Sequence, residues 1–274
     1  MGCSRQESFS HHNKEVLDEV RAEVTNRPAG SALLLLLDFD GTLAEFHADP
    51  SAPRLTSQRW DLIDRISVQR GTAVGIVSGR RLDDLRRRTR LPDRIYHAGL
   101  HGLEIEIEGE RTVHPDLHSA EERLEGLAGC LARILVDHPD AFVEDKRASV
   151  AVHVRRLPVE RRQIVLTLAD TLAAPWIAAG RVRRLEGDAV VEYLPDISGH
   201  KGEALRWITA DCEQRLRRPV WVAYVGDDIT DEDAFRAITS GISVLVGLRP
   251  TEATHKLNGI TEVDLFLRWL AAKE

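Results

Sequence analysis

The sequence predicts an α/β protein in which a doubly wound, mostly parallel, Rossmann-like core sheet carries a smaller inserted α+β cap domain. At both ends of the chain, continuous apolar runs alternate with helical stretches, the pattern of a parallel sheet with helices on both faces. In the middle, short segments alternate apolar and polar residues, as antiparallel strands with one solvated face do. We therefore predict a polar, helical extension over residues 1–30, a core over 31–102 and 196–274, and a cap over 103–195.

The first half of the core begins with the most apolar run of the chain. Residues 32–37, ALLLLL, predict a buried parallel strand, and a helical stretch follows at 55–69. A second buried strand, residues 72–77, is followed by the charged helix RLDDLRRRTR and by a third strand at 94–98. In such a sheet the chemistry lies just beyond the carboxyl ends of the strands.

The cap and the second half of the core follow. In the cap, LEIEIEGERTVH predicts one hairpin and RVRRLEGDAVVEYLP another. Between the hairpins we predict helices at 118–137 and 158–173 and strands at 141–145 and 148–155. In the core, a helix begins near Lys201, and VWVAYVGDD and GISVLVG predict two more buried strands.

The composition is that of a soluble globular protein and argues against several classes of partner. Of the 274 residues, 43% are hydrophobic and 30% are charged. The formal charge of −7 argues against nucleic acid or an anionic membrane as the main partner, and the longest apolar run is too short to span a bilayer. The three cysteines are far apart, so we expect a reducing, cytoplasmic setting without a disulfide framework or a zinc site. The sequence leaves the oligomeric state open, a monomer included.

Two aspartates end the leucine-rich strand. Asp38 and Asp40 stand at positions i and i+2 of an extended segment, so their side chains point to the same side. Two carboxylates there can share one substrate atom or one metal ion. Gly41 and Thr42 follow, and they permit a tight turn whose backbone amides are free to meet a phosphate.

A second acidic cluster follows the strand VWVAYV. The acids are Asp227, Asp228, Asp231, Glu232 and Asp233. Their mutual repulsion is unfavourable unless a cation or a helix N-terminus compensates it. For Asp231 and Glu232, capping of the following helix is an equal alternative. A hard divalent ion with oxygen ligands, best matched by Mg²⁺, explains Asp38 and Asp227 together.

Two further residues complete a phosphate site. Ser78 stands at the tip of the second strand, and Lys201 at the start of the helix in GHKGEAL. A hydroxyl donor and an ammonium can hold phosphoryl oxygens while a metal ion neutralises the remaining charge. A strand-end serine alone is usually just a cap. Here, however, four separate segments all carry phosphate-compatible groups at predicted carboxyl ends, and together they predict a phosphate site.

In combination these motifs make the chain resemble a known family. Four features are similar to the motifs of the haloacid-dehalogenase superfamily of phosphohydrolases: DFDGTL, the strand-end Ser78, Lys201 and GDDITDE. More narrowly, the chain resembles the trehalose-6-phosphate phosphatase family from about residue 31 to the C-terminus. The additional motifs are SGR, GLHGLE, EDK with HVR downstream, VEYLP and HKGEAL. The resemblance implies a Mg²⁺-dependent phosphatase that acts on a small sugar phosphate through an aspartyl-phosphate.

The resemblance also implies a role for each residue of the core site. Asp38 is then the nucleophile, and Asp40 the acid that protonates the leaving sugar oxygen and later activates water. Lys201 and Ser78 hold the phosphoryl oxygens. The implied metal ligands are Asp38, Asp40 through its backbone carbonyl, Asp227, and Asp228 through a bound water.

In the cap, the resemblance implies sugar recognition. The residues at the matching positions are Glu144, Lys146 and Arg155, with Glu192 as a further candidate, and Arg80 and His101 are expected along the seam between core and cap. On the residues alone, an ordinary cross-strand ion pair between Glu144 and Arg155 stays open. The chain departs from the family at Asp188, where many members carry lysine, and at Val154, where tyrosine is common.

Three functions follow as alternatives. The main hypothesis is hydrolysis of trehalose 6-phosphate. Asp188 keeps open a phosphatase for another glycosyl phosphate, of the sucrose-phosphate or mannosyl-phosphoglycerate type. A non-catalytic sugar-phosphate sensor would be expected to lack the nucleophile, the acid, the lysine or the metal ligand, and this chain has all four.

Overall fold

The computed structural model describes residues 15–47, 49, 51–145, 149–196 and 201–273. The chain divides into two compact units, Met1–Thr112 with Gly199–Glu274, and Val113–Ser198. The predicted α/β class is confirmed, because a large, parallel-rich sheet and its helices form the main part of the structure.

The strands are β1 (Ala32–Asp38), β2 (Thr72–Val77), β3 (Tyr96–Gly99), β4 (Glu104–Ile107), β5 (Glu110–Val113), β6 (Phe142–Asp145), β7 (Val150–His153), β8 (Val182–Gly187), β9 (Val190–Pro195), β10 (Val220–Gly226), β11 (Gly241–Val246) and β12 (His255–Leu257). The helices are α1, described over residues 15–25, α2 (Ser57–Ser67), α3 (Leu82–Thr89), α4 (Leu117–Ile134), α5 (Val159–Ala178), α6 (Lys201–Leu216), α7 (Glu232–Ala237) and α8 (Ile260–Ala271). The larger sheet has the order β12-β11-β10-β1-β2-β3-β4-β5, and the smaller one the order β6-β7-β9-β8.

The leucine-rich strand β1 lies at the centre of the larger sheet, between β2 and β10 and parallel to both. Leu33, Leu35 and Leu37 pack into the hydrophobic core on one face of the sheet, and Leu34 and Leu36 into the core on the other face. Every residue of the strand is buried, which explains why five leucines follow one another.

One predicted hairpin extends the core sheet instead of beginning the cap. The sequence predicts that the segment LEIEIEGERTVH begins the cap, but β4 pairs antiparallel with β3. Its apolar side chains, Ile105 and Ile107, are buried in the core of the larger sheet. An amphipathic hairpin has the same period-two pattern at a sheet edge as in a separate domain, so the pattern alone could not assign it.

The described part of the predicted N-terminal extension is packed into the first unit. Helix α1 buries Leu17, Val20 and Val24, spaced three and four residues apart, in the same cluster as Phe266 and Leu270 of α8. Within the described residues, no helix combines the length and the apolar character needed to cross a membrane.

The second unit packs α4 and α5 against one face of its four-stranded sheet. Val150, Val152, Val191 and Tyr193 of β7 and β9 point into the core that the sheet shares with these helices. Their neighbours along each strand point to the opposite face, because side chains alternate along a strand. That second face carries polar residues that the sequence predicts to bind a sugar.

Candidate active site

Three adjacent parallel strands end side by side at the predicted site. In the register of the sheet, Leu37 pairs with Val225 of β10, and Asp38 pairs with the last residue of β2. Ser78 directly follows β2, and Asp227 directly follows β10. The order of the strands therefore brings three predicted site residues from distant parts of the chain to one edge of the sheet.

A buried lysine and three carboxylates meet at this edge. Lys201, the first residue of α6, is 2% exposed, and its Nζ donates to Asp38 Oδ1 at 2.5 Å and to Asp231 Oδ1 at 2.7 Å. Asp38, Asp227 and Asp231 each offer a carboxylate oxygen within 4.8 Å of the other two. Asp38 and Asp227 are therefore close enough to share one cation.

Burial governs the protonation of this cluster. It raises the pKa of Asp38 well above the ordinary value, and Asp231 and Asp227 add to the rise against the opposing effect of Lys201. Burial and then Asp231 raise the pKa of Asp227 to about 7. Burial alone would lower the pKa of Lys201, but Asp231 and Asp38 outweigh it and raise that pKa. One ammonium does not neutralise three carboxylates, and such hard oxygen donors fit a divalent cation.

Asp231, for which the sequence left capping and metal binding open, is a central member of the cluster. It is fully buried, and its Oδ1 accepts from Lys201 and, at 2.8 Å, from Tyr224 Oη. Its Oδ2 accepts from the backbone N–H of Asp228 at 2.9 Å. A Cβ at Gly226 would lie 2.3 Å from Asp231 Cγ, so a glycine at this position leaves room for the carboxylate. Asp231 thus both caps a turn and holds the lysine.

Asp228 caps the same turn. Its carboxylate accepts from Thr230 Oγ1 at 3.0 Å, at the start of the 3₁₀ turn Ile229–Asp231. Among the residues that the structure describes, the carboxylates close enough to hold one ion include Asp231 rather than Asp228. Contact of Asp228 with a metal through water stays a prediction.

Gly41 and Thr42 accommodate the acidic cluster. Gly41 has a φ of +87°, and a Cβ there would lie 2.1 Å from Asp227 Oδ2. Thr42 Oγ1 donates to Asp227 Oδ1 at 3.2 Å. The prediction of a free amide is wrong for Gly41, because its N–H donates to the carbonyl of Ala44 at 2.7 Å and so closes the tight turn.

Arg80 holds the second aspartate of the D-x-D pair. Its Nε and Nη2 donate to the two carboxylate oxygens of Asp40 at 2.7 and 2.6 Å, a bidentate pair. Burial alone would lower the pKa of Arg80, but the bonds to Asp40 outweigh it and raise that pKa. The backbone N–H of Arg80 donates to Ser78 Oγ at 3.2 Å. The sequence indicated contact of Arg80 with substrate, which stays a prediction, and missed its bond to Asp40.

His101 lies in a turn of unusual backbone conformation next to Ser78. Leu100, His101 and Gly102 have consecutive positive φ angles of 51°, 58° and 105°. The backbone N–H of His101 donates to the carbonyl of Ser78 at 2.9 Å, and its imidazole packs against Gly79, where a Cβ would come within 2.8 Å of the ring. The turn fixes the ring beside the end of β2, and its predicted contact with substrate stays a prediction.

On the second unit, two predicted sugar-binding residues share the polar face of the sheet. Glu144 of β6 and Glu192 of β9 both pair in register with Ala151 of β7, so their side chains point to one side. His153 Nε2 lies 2.8 Å from Glu144 Oε2, and Ser149 Oγ donates to Glu192 Oε1 at 2.5 Å. This face therefore presents two oriented carboxylates.

Arg155 contacts the residue at which the chain departs from the family pattern. Its Nη2 donates to the backbone carbonyl of Asp188 at 3.0 Å and lies 3.0 Å from the Asp188 carboxylate. Both side chains are exposed, so the pair contributes little to stability. Lys146, the remaining predicted sugar-binding residue, lies outside the described residues.

Known proteins resemble this chain over most of its length. The family model for trehalose-phosphatase matches residues 36–258. The trehalose-phosphate phosphatase of Mycobacterium marinum is 33% identical over 282 residues, which cover 98% of this chain and 69% of that protein. Trehalose-phosphate phosphatase B of Arabidopsis thaliana is 28% identical, with 90% of this chain and 68% of that protein covered.

Solved structures agree in fold. The C-terminal domain of C. albicans trehalose-6-phosphate phosphatase superimposes with a TM-score of 0.77 at 20% identity, over 96% of this chain and 97% of that chain. The trehalose-6-phosphate phosphatase of Aspergillus fumigatus gives a TM-score of 0.61 at 21% identity, over 94% and 97%. The extent of the family match and the identity to the mycobacterial enzyme show that the chain belongs to the trehalose-phosphatase family.

Proposed function

We propose that this chain is a Mg²⁺-dependent phosphatase that hydrolyses trehalose 6-phosphate to trehalose and inorganic phosphate. Its family membership supports the reaction class. The observation that carries the proposal is the buried cluster at the end of β1, in which Asp38 lies beside Asp227, Asp231 and Lys201. Such a cluster can supply a nucleophile, ligands for a divalent ion and a cation for the phosphate.

We assign the metal to Asp38 and Asp227, with the backbone carbonyl of Asp40 as a third ligand and Asp228 acting through water. Burial raises the pKa of both aspartates, so a bound divalent cation would favour the ionised forms that the reaction needs. When bound, Mg²⁺ would offset the repulsion between the nucleophile and the phosphate dianion.

In the first step, a carboxylate oxygen of Asp38 bonds to phosphorus and the bond from phosphorus to the sugar oxygen breaks. Asp40 gives its proton to that oxygen, so trehalose leaves and an aspartyl-phosphate remains. Lys201, which donates to Asp38 Oδ1, orients the nucleophile and binds a phosphoryl oxygen. The Ser78 hydroxyl donates to a second phosphoryl oxygen.

In the second step, water attacks phosphorus and the bond between phosphorus and Asp38 breaks. Asp40, now ionised, takes a proton from the water, and inorganic phosphate leaves. Both oxygens of Asp40 accept from Arg80, so the ion pair orients this carboxylate.

We assign sugar recognition to the polar face of the second unit. Glu144, Glu192 and Arg155 offer acceptors and donors for sugar hydroxyls, and Lys146 has the same role by resemblance. The contact of Arg155 with Asp188 favours a second candidate function, a phosphatase for another glycosyl phosphate, because an acid there changes the charge offered to the sugar.

The test is phosphate release from a panel of sugar phosphates, with the Asp38→Asn variant beside the wild type. We expect the highest kcat/KM for trehalose 6-phosphate and a loss of about 10⁴-fold or more in the variant. Asp83→Asn, which alters an exposed carboxylate paired with Arg111, is the matched control and should keep wild-type activity. Equal or better turnover of another glycosyl phosphate would overturn the trehalose assignment, and activity in Asp38→Asn would overturn the nucleophile.

A further inference from the structure

The loop between β11 and β12 contacts the acidic segment that follows β10. Arg249, in this loop, donates from Nε to the backbone carbonyl of Asp227 at 3.0 Å. Its Nη2 donates to the backbone carbonyl of Asp228 at 2.6 Å. One guanidinium therefore bonds to two consecutive peptide groups of the segment that carries the Asp227 carboxylate.

Arg249 is itself held by Glu232. Its Nη1 donates to Glu232 Oε1 and to the carbonyl of Pro250, the latter at 2.9 Å. The same Oε1 accepts from Thr251 Oγ1 at 2.7 Å, and Oε2 accepts from the backbone N–H of Glu252 at 3.0 Å. Four of the five guanidinium N–H groups of Arg249 therefore bond to the protein, three to backbone carbonyls and one to Glu232.

The same contacts compensate part of the negative charge of the acidic segment. Lys201 pairs with Asp231, Arg249 with Glu232, and Arg236 with Asp233. The bonds of Arg249 to backbone carbonyls add a constraint on geometry to this compensation of charge. Arg236 lies in the same segment and makes a side-chain ion pair at 2.5 Å, which makes it a natural control.

We propose that Arg249 is a positioning residue that fixes the peptide groups of Asp227 and Asp228 and so aims the Asp227 carboxylate into the metal site. The inference rests on the proposed function. Thr42 holds the Asp227 side chain through a bond of 3.2 Å, while the two charge-assisted bonds from Arg249 hold its main chain. Residues that orient a metal ligand from behind typically change metal affinity or activity by about 10- to 100-fold.

The experiment compares Arg249→Met, Arg249→Lys and the control Arg236→Met in the full chain. Isothermal titration calorimetry without substrate measures the Mg²⁺ dissociation constant, and phosphate release from trehalose 6-phosphate measures kcat and KM at saturating Mg²⁺. We expect the Mg²⁺ Kd to rise about 10- to 100-fold in Arg249→Met. Lysine keeps the charge but lacks the planar fork that reaches two carbonyls and a carboxylate, so Arg249→Lys should also bind Mg²⁺ more weakly. Arg236→Met should keep the wild-type Kd.

The outcomes separate this inference from the proposed function. Wild-type Mg²⁺ affinity in a folded Arg249→Met protein would overturn the inference and leave the proposed function standing. Failure of the wild type itself to bind Mg²⁺ would overturn both. If Arg249→Met does not fold, Arg249→Lys and Glu232→Gln decide, since wild-type affinity in both would contradict the inference. As a readout without metal, amide hydrogen exchange over residues 226–231 should be faster in the Arg249 variants and unchanged in Arg236→Met.

Discussion

Gly226→Ala tests whether the position of the Asp231 carboxylate determines the activity of the site. Gly226 ends β10 and lies outside the left-handed region of φ, so alanine is acceptable to the backbone and the obstacle is steric. A Cβ there would lie 2.3 Å from Asp231 Cγ. Since carbon atoms pack at about 3.5 Å or more, the carboxylate must withdraw by about 1 Å.

Withdrawal of the Asp231 carboxylate should lower both the catalytic rate and the stability of the protein. The bond from Lys201 Nζ to Asp231 Oδ1, 2.7 Å in the structure, would lengthen beyond hydrogen-bonding distance. Lys201 then loses one of its two carboxylate partners and is no longer aimed at the phosphate. A misplacement of about 1 Å can cost about 100-fold in rate, and overpacking costs about 1–3 kcal/mol of unfolding free energy. We expect losses of these sizes in kcat and in stability.

Phosphate release and urea unfolding measure the two losses, and Gly75→Ala separates them. A Cβ at Gly75 would lie 2.7 Å from Leu36 Cδ2 and 3.0 Å from Tyr96 Cβ, so alanine overpacks the same sheet against apolar atoms. This control should lose comparable stability and keep a kcat near the wild-type value. Wild-type folding and turnover in Gly226→Ala, or an equal loss of kcat in both variants, would contradict the role assigned to the Asp231 carboxylate.

Other contacts lead to further measurable expectations. Tyr224→Phe removes a donor to the acidic cluster and should lower kcat about five- to tenfold, whereas Tyr96→Phe, which removes a similar tyrosine–aspartate bond at 2.7 Å, should leave it unchanged; equal kcat values would contradict this. Burial lowers the pKa of His97 to about 3, so between about pH 6 and pH 4 the unfolded chain binds a proton that the folded chain does not. Stability should therefore be full at pH 7 and fall by about 1.4 kcal/mol per pH unit of acidification in that window, a slope that denaturant titrations of His97→Gln should lack. Mg²⁺ at 100 times its Kd should add about 2.7 kcal/mol of unfolding free energy, seen as a higher Tm, and Asp227→Asn should abolish the increase.

The hydrophobic pattern of each strand and the clustering of polar residues at strand ends could be read from the sequence. The run ALLLLL predicted a strand covered on both faces, and β1 is central and fully buried. Because parallel strands present chemistry at their carboxyl ends, the sequence alone groups Asp38, Ser78 and Asp227 at one site. The family followed from the same motifs and is confirmed.

Contacts set by the path of the chain in space could not be read in this way. Asp228 and Asp231 lie in the same acidic segment of the sequence, but the turn at residues 229–231 directs the Asp231 carboxylate to Lys201. Arg249 stands in a loop with no recognisable motif, and its bonds are to backbone carbonyls, which leave no trace in the sequence. The pair between Arg80 and Asp40 joins residues forty apart, and nothing local indicates it.

The central position of β1 also has a consequence for synthesis of the chain. Leu37 and Val225 are neighbours in the sheet, yet the entire inserted unit is translated between them. At about 5–20 residues per second, β10 leaves the ribosome on the order of ten seconds or more after β1. During that interval one edge of the leucine-rich strand lacks its partner, and such an edge can pair with another chain. Nascent chains stalled near residue 200 should therefore recruit chaperones or aggregate, and release from this state should coincide with the emergence of β10.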